Sequence, residues 1–192
     1  MYRLFVILIF CCLSISQVIS ADKNYVGLIH LYPEKNAYFH NNMGLEYLSN
    51  NDYLSAIQEF KIAIGLNNNT QASSIYYGNL GETYLKLKRY ADAQDCFENA
   101  IRLNPMQFKY YLSLVDTFYF QNNLNAKLDE YNKNKQTPLD NVIIGLIYIR
   151  KGSINKGIAL LNEFVYNEPK LIITDGVKSY LNTFADLSNT NR

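Results

Sequence analysis

The stretch from Tyr76 to Pro105 constrains the fold of this chain more than any other part of the sequence. Its apolar and small residues recur every three or four positions, which places them on one stripe of a helix. The polar break at Lys88-Arg89 is too short for anything but a tight turn between two helices. Pro105 then ends the second helix, because proline lacks the backbone N–H and clashes with the preceding turn. The pattern therefore predicts two antiparallel helices.

The small residues on the two stripes explain how these helices could pack. Gly81 and Ala93 leave room for the two backbones to approach closely, and Phe97 fills the wider space beside them. A single hairpin of this kind leaves one apolar face uncovered, so further hairpins must stack on it. We therefore expect an array of helical hairpins.

The order of these residues resembles the tetratricopeptide repeat family, whose 34-residue unit carries an aromatic residue, Leu-Gly, Tyr, Ala, Phe, Ala and Pro at set positions. With Ser74 as the first position, all eight signature positions carry an acceptable residue. These are Tyr77, Leu80, Gly81, Tyr84, Ala93, Phe97, Ala100 and Pro105. The resemblance implies an all-α solenoid of antiparallel helix pairs that forms a right-handed superhelix.

The same pattern recurs less regularly along the chain, and predicts a repeat domain over 37–187 with units of about 37–70, 74–107, 108–137 and 138–171. The third unit is degenerate. Val115 stands where the glycine is expected and Lys127 where a small residue is expected, so we predict a short or frayed second helix. Apolar residues after Pro169 predict a capping helix at 175–187, which covers the open side of the last repeat. Residues 188–192 are predicted to be a loose tail.

Residues 1–21 differ from the rest of the chain. A short positive start is followed by an apolar run from Leu4 to Leu13 and then by small and polar residues, which is typical of a secretory signal peptide. Cleavage would leave a chain that begins at Ala21 or Asp22. The alternative is an uncleaved membrane anchor, although the run is short for a spanning helix. We expect an exported chain, periplasmic or secreted, and a lead-in arm at 22–36 that packs partly on the first repeat.

Charge and chemistry exclude several classes of function. Without residues 1–21 the chain has 17 basic and 17 acidic residues and no basic run, which argues against nucleic acid as a partner. Cys96 is then the only cysteine, and it is expected to be a buried filler. His40 falls at a packing position between helices, and His30 lies in the lead-in arm. We find no motif for a nucleophile, a metal or a phosphate loop, so no enzyme activity and no cofactor are predicted.

The family resemblance implies a peptide-binding groove on the first helices of successive units. The predicted groove residues are Tyr38, Asn41, Leu45, Leu48, Asn79, Glu82, Leu85, Lys109, Leu112, Asp116, Tyr119, Val142, Leu146 and Ile149. Some family members clamp a C-terminal carboxylate with five Lys, Asn and Arg residues. Only Asn79 and Lys109 match that set here, so we expect an apolar or mixed peptide or helix rather than an acidic tail.

The predicted function is an exported scaffold or adaptor that mediates protein–protein interaction through this concave groove. The alternative is a membrane-anchored assembly subunit of an envelope or secretion complex, with a membrane as partner only if the leader stays uncleaved. The partner would be a protein or peptide segment. Self-association is a further option, because the lead-in arm, the last helix or a second copy of the chain could each cover the apolar groove positions.

Overall fold

The computed structural model describes residues 36–190, with side chains over residues 36–184. The predicted leader at 1–21 and most of the lead-in arm at 22–36 lie outside these residues. The described part is built of nine helices and contains no strand. The helices are α1 Ala37–Ser49, α2 Tyr53–Leu66, α3 Ser73–Lys86, α4 Tyr90–Leu103, α5 Phe108–Phe120, α6 Leu124–Lys133, α7 Pro138–Arg150, α8 Ile154–Asn167 and α9 Ile172–Thr190. The predicted all-α repeat solenoid is confirmed.

Polar side chains define where several helices begin. Asn36 accepts a hydrogen bond from the backbone N–H of Phe39 (3.0 Å) at the start of α1, and Asp52 accepts one from the N–H of Ser55 (3.2 Å) at the start of α2. At α7 the backbone N–H of Thr137 donates to Asp140 (2.8 Å), which completes a capping box in front of Pro138. Such bonds satisfy the backbone N–H groups that a helix start leaves without a partner.

The four hairpins α1–α2, α3–α4, α5–α6 and α7–α8 reverse the chain with the same turn. In each turn one residue adopts a left-handed conformation, with φ between 56° and 87°. The next residue donates its backbone N–H to the carbonyl oxygen five residues earlier, as in Asp52 to Tyr47 and Arg89 to Tyr84, both at 2.9 Å. The left-handed residues are Asn51, Lys88, Asn122 and Gly152. Such bonds close the end of a helix and set the angle at which the next helix starts.

Close packing inside each regular hairpin depends on a glycine of the first helix. A Cβ added at Gly81 would lie 2.9 Å from the ring of Phe97, and one added at Gly44 would lie 2.5 Å from the ring of Phe60. In the fourth unit Gly145 faces Leu161 in the same way, at 2.9 Å. These large partners are fully buried, so the glycine–large residue pairs form the centre of each hairpin.

The third hairpin departs from this arrangement. The side chain of Val115 is buried where the other units have a glycine, and the ammonium of Lys127 lies over the ring of Phe118 at 5.4 Å. The second helix, α6, spans 10 residues, of which Leu128 alone is buried. The expected short second helix is therefore present. The backbone of α5 packs directly on α7, which keeps the array continuous.

The last helix is longer than predicted. It begins at Ile172 rather than at 175 and continues to Thr190, so the predicted loose tail at 188–192 is corrected over its first three residues. The sequence after Gly176 contains neither glycine nor proline, so nothing in it breaks the helical hydrogen bonding. Ile173 and Val177 are fully buried in the common core.

The path of α9 differs from that of the other helices. Its backbone approaches α8 and α5 but not α7. A Cβ added at Gly176 would lie 2.7 Å from the Cβ of Phe108, and the rings of Tyr180 and Phe108 are 5.7 Å apart. α9 therefore crosses the side of the array on which the first helices lie, and reaches back one unit to the start of α5.

A pair of glycines tests the close packing of helices. A Cβ at Gly157 would lie 2.5 Å from the backbone oxygen of Gly145, whereas a Cβ at Gly65 would meet nothing within 4 Å. We expect Gly157→Ala to lower the free energy of unfolding by about 1–3 kcal/mol through overpacking. Gly65→Ala should leave it unchanged or raise it by up to about 1 kcal/mol, because alanine favours a helix. Urea denaturation of both variants measures this difference. Equal midpoints would contradict the close contact between α7 and α8.

Candidate functional site

The candidate site is the face formed by the first helices α1, α3, α5 and α7, here called the groove. Most of the predicted groove residues that lie on α1 and α3 are partly open to solvent. Four apolar side chains on the first helices expose two fifths or more of their surface: Tyr38 (68%), Leu45 (41%), Ile75 (52%) and Tyr119 (48%). Leu48, Leu85, Leu112 and Ile149 are half-buried and pack against the core. The open part of the groove thus has an apolar floor.

Polar pairs join each first helix to the next across this floor. The amide of Asn79 donates to the side-chain oxygen of Asn41 (2.8 Å), which links α3 to α1. The Lys109 ammonium lies 2.5 Å from a Glu82 oxygen, which links α5 to α3. Each pair joins polar side chains of two neighbouring first helices. The spacing of these helices is therefore supported by contacts on the groove itself.

The third pair joins α7 to α5 and includes an arginine that the sequence did not reveal. The Nε of Arg150 lies 3.1 Å from an Asp116 oxygen, and its guanidinium lies 4.1 Å from the centre of the Tyr119 ring. Partial burial raises the pKa of Asp116, and the positive charge of Arg150 opposes this increase. The two groove carboxylates, Glu82 and Asp116, are therefore both paired with cations.

Arg150 could have been found from the spacing of the units. Because the third unit is four residues short of a full repeat, Arg150 lies one helical turn further along its helix than Asp116 does on α5. The two residues are 150 − 116 = 34 positions apart in the sequence. A search for opposite charges one repeat apart would have identified the pair.

Three predicted groove residues are not open to solvent. Asn41 is 5% exposed, because it is enclosed between α1 and α3 where it meets Asn79. Val142 and Leu146 are 0% and 2% exposed and belong to the same core cluster as Ile173 and Val177 of α9. At the α7 end of the groove these two side chains thus belong to the core rather than to the open surface.

The histidine and the cysteine of the described region lie in packing environments. The Nδ1 of His40 lies 2.7 Å from a Glu59 oxygen, which joins α1 to α2 in a partly buried position. Burial raises the pKa of the Cys96 thiol to about 12, so the nucleophilic thiolate is scarce at neutral pH. Within the described residues no group of three or more His, Cys, Asp or Glu could hold a metal ion. His30 lies outside the described residues.

Two further observations come from the described helices and from the amino-acid sequence. Over the part that the structure describes, none of the helices combines the length and apolarity that crossing a membrane requires. Residues 37–70 and 74–106 each match a sequence model of the tetratricopeptide repeat. The chain carries two such repeats. Proteins built from these repeats are generally scaffolds for protein–protein interaction rather than enzymes.

The chain is similar to several known proteins in sequence or in structure. The TPR repeat-containing protein MJ1428 of Methanocaldococcus jannaschii is 26% identical over 144 residues, which is 73% of this chain but only 24% of that relative. The crystal structure of MamA matches with a TM-score of 0.50 at 20% identity, over 76% of this chain and 85% of MamA. The second TPR domain of human RPAP3, solved in complex with an HSP70 peptide, matches with a TM-score of 0.46 at 16% identity, over 69% of this chain and 97% of that domain.

The Asn41–Asn79 pair gives a direct test of the groove geometry. Asn41→Ala removes the buried acceptor and leaves the amide of Asn79 without its partner, so the free energy of unfolding should fall by about 1–2 kcal/mol. Asn42→Ala, at the exposed neighbouring position on α1, should change it by less than about 0.5 kcal/mol. Thermal or urea unfolding of the two variants provides the comparison. If Asn41→Ala has no larger effect than Asn42→Ala, the pair does not join the two helices.

Proposed function

We propose that this chain is an exported scaffold that binds a segment of another protein in its groove. The observation that carries the proposal is the combination of exposed apolar side chains on the groove with polar pairs that fix the spacing of the helices beneath them. A preformed apolar surface binds with little ordering of its own side chains. Such a surface suits an amphipathic helix or an extended peptide with apolar anchors.

The apolar anchors for binding lie on the α1–α3–α5 part of the groove. This part carries the most exposed apolar side chains of the groove, whereas Val142 and Leu146 at the α7 end are buried. Tyr38 and Ile75 are the most exposed apolar residues on it, and they lie on successive first helices. A few buried anchors usually supply most of the binding energy at such a surface, with polar groups that set orientation. Lys109 contributes little charge of its own, because Glu82 lies beside it.

Recovery of partners tests the groove. The immobilised chain is incubated with extract from its native host, and the bound proteins are quantified by mass spectrometry. We expect Tyr38→Ser combined with Ile75→Ser to reduce recovery of a specific partner about tenfold or more, because two anchors are lost. Leu54→Ser is the matched control: Leu54 is 70% exposed but lies on the second helix, α2. A partner that is lost with Leu54→Ser and retained by the double variant would contradict the proposal.

We propose export because of the short positive start, the apolar run and the small residues within 1–21. Sequencing the N-terminus of the protein purified from its native host tests this proposal. The expected result is a chain that begins at Ala21 or Asp22. An intact start at Met1 in the membrane fraction would favour the anchored assembly subunit instead, and the groove would then face partners held at a membrane.

A further inference from the structure

We propose that the α7 end of the groove is a recognition site for an acidic side chain, Asp or Glu, that follows an apolar residue within the bound protein segment. This inference rests on the proposed function, and it specifies the chemistry of the ligand. The residue that carries it is Arg150, together with the two clefts that it lines.

The guanidinium of Arg150 is held in place on two sides. Its Nε edge faces Asp116 at 3.1 Å, and its flat face lies over the ring of Tyr119 at 4.1 Å. Among the described residues, none accepts a hydrogen bond from the two terminal nitrogens of Arg150. Since a carboxylate binds a guanidinium best through two parallel N–H groups, this remaining edge is oriented for such a ligand.

The local charge favours an anion although Asp116 is near. Arg150 and the adjacent Lys151 are both exposed at the end of α7, and one carboxylate, that of Asp116, faces Arg150. The carboxyl end of a helix is a favourable position for cationic side chains such as these two. A single added carboxylate therefore meets a net positive site, whereas a run of acidic residues along the groove would also meet Glu82 and Asp116.

The two clefts beside Arg150 have different linings. One, of about 390 Å³, is lined by the side chains of Leu112, Leu146, Ile149 and Tyr180 together with the carboxylate-bearing Asp116. The other, of about 290 Å³, includes Asn122, Asn125 and Lys151 beside Tyr119 and Leu124. An apolar side chain fits the first, and a polar continuation of the ligand fits the second. Because there is space on both sides of Arg150, the carboxylate belongs to an internal residue rather than to a chain end.

Short blocked peptides test this site in the purified chain. The probes are acetyl-Leu-Glu-Ser-amide and acetyl-Leu-Gln-Ser-amide, titrated separately into the isotopically labelled protein and followed by NMR. We expect the glutamate peptide to bind about fivefold or more tightly than the glutamine peptide, because only a carboxylate forms charge-assisted bonds. The largest shifts should fall on residues around Arg150. Acetyl-leucine, whose carboxylate ends the chain, should bind more weakly than the glutamate peptide.

Variants of the chain test whether the preference for glutamate depends on Arg150. Arg150→Gln should reduce the preference for glutamate over glutamine to about one, and Arg150→Lys should keep only part of it, since lysine cannot offer two parallel N–H groups. Lys86→Gln removes an exposed charge from the last turn of α3 and should leave the preference unchanged.

The outcomes separate this inference from the proposed function. Equal binding of both peptides, or a preference that survives Arg150→Gln, overturns the acidic site while leaving groove binding intact. Tighter binding of acetyl-leucine than of the glutamate peptide overturns the internal position of the carboxylate. No binding of any probe also overturns the site, and the Tyr38 and Ile75 variants still decide whether the rest of the groove binds partners.

Discussion

The structure depends on the close approach of two helix backbones inside each hairpin. Gly44, Gly81 and Gly145 each lie against a large side chain of the following helix, at distances that leave no room for a Cβ. Because the glycine and its partner are buried together, the hairpin is narrow, and the apolar faces on either side are free to pack on neighbouring hairpins. The groove is a consequence of this stacking, since it brings the first helices side by side.

Much of this architecture could be predicted because its signals are local. The glycine and its large partner recur at the same spacing within each unit, and the turn between them is short, so the sequence around Gly81 and Phe97 was sufficient to predict a hairpin. The degenerate third unit could be recognised for the same reason: Val115 and Lys127 break the pattern at known positions. Each of these features involves residues within about half a repeat of each other.

The features that the sequence did not predict depend on contacts between residues that are distant in the sequence. The sequence placed Val142 and Leu146 on an open groove, but both side chains are buried in the core cluster that also contains Ile173 and Val177 of α9. Arg150 was missed because its partner Asp116 lies in another unit. In addition, Arg150 lies one helical turn further along α7 than Asp116 does along α5. The pairing of Glu82 with Lys109 was missed for a related reason, since both residues were assigned separately to the groove without considering their distance across helices.

The return of α9 to α5 changes how the array would lose its structure. In a simple solenoid each unit contacts only its neighbours, so unfolding can proceed one unit at a time from either end. Here α5 packs on α7, α7 on α8, α8 on α9, and α9 again on α5, which closes a ring of contacts. Opening this end requires two interfaces to break together, whereas α1 and α2 can separate from α3 and α4 at the other end without disturbing the ring. The two ends of the array therefore differ in cooperativity, with a single folding block at the carboxyl end and a more independent hairpin at the amino end.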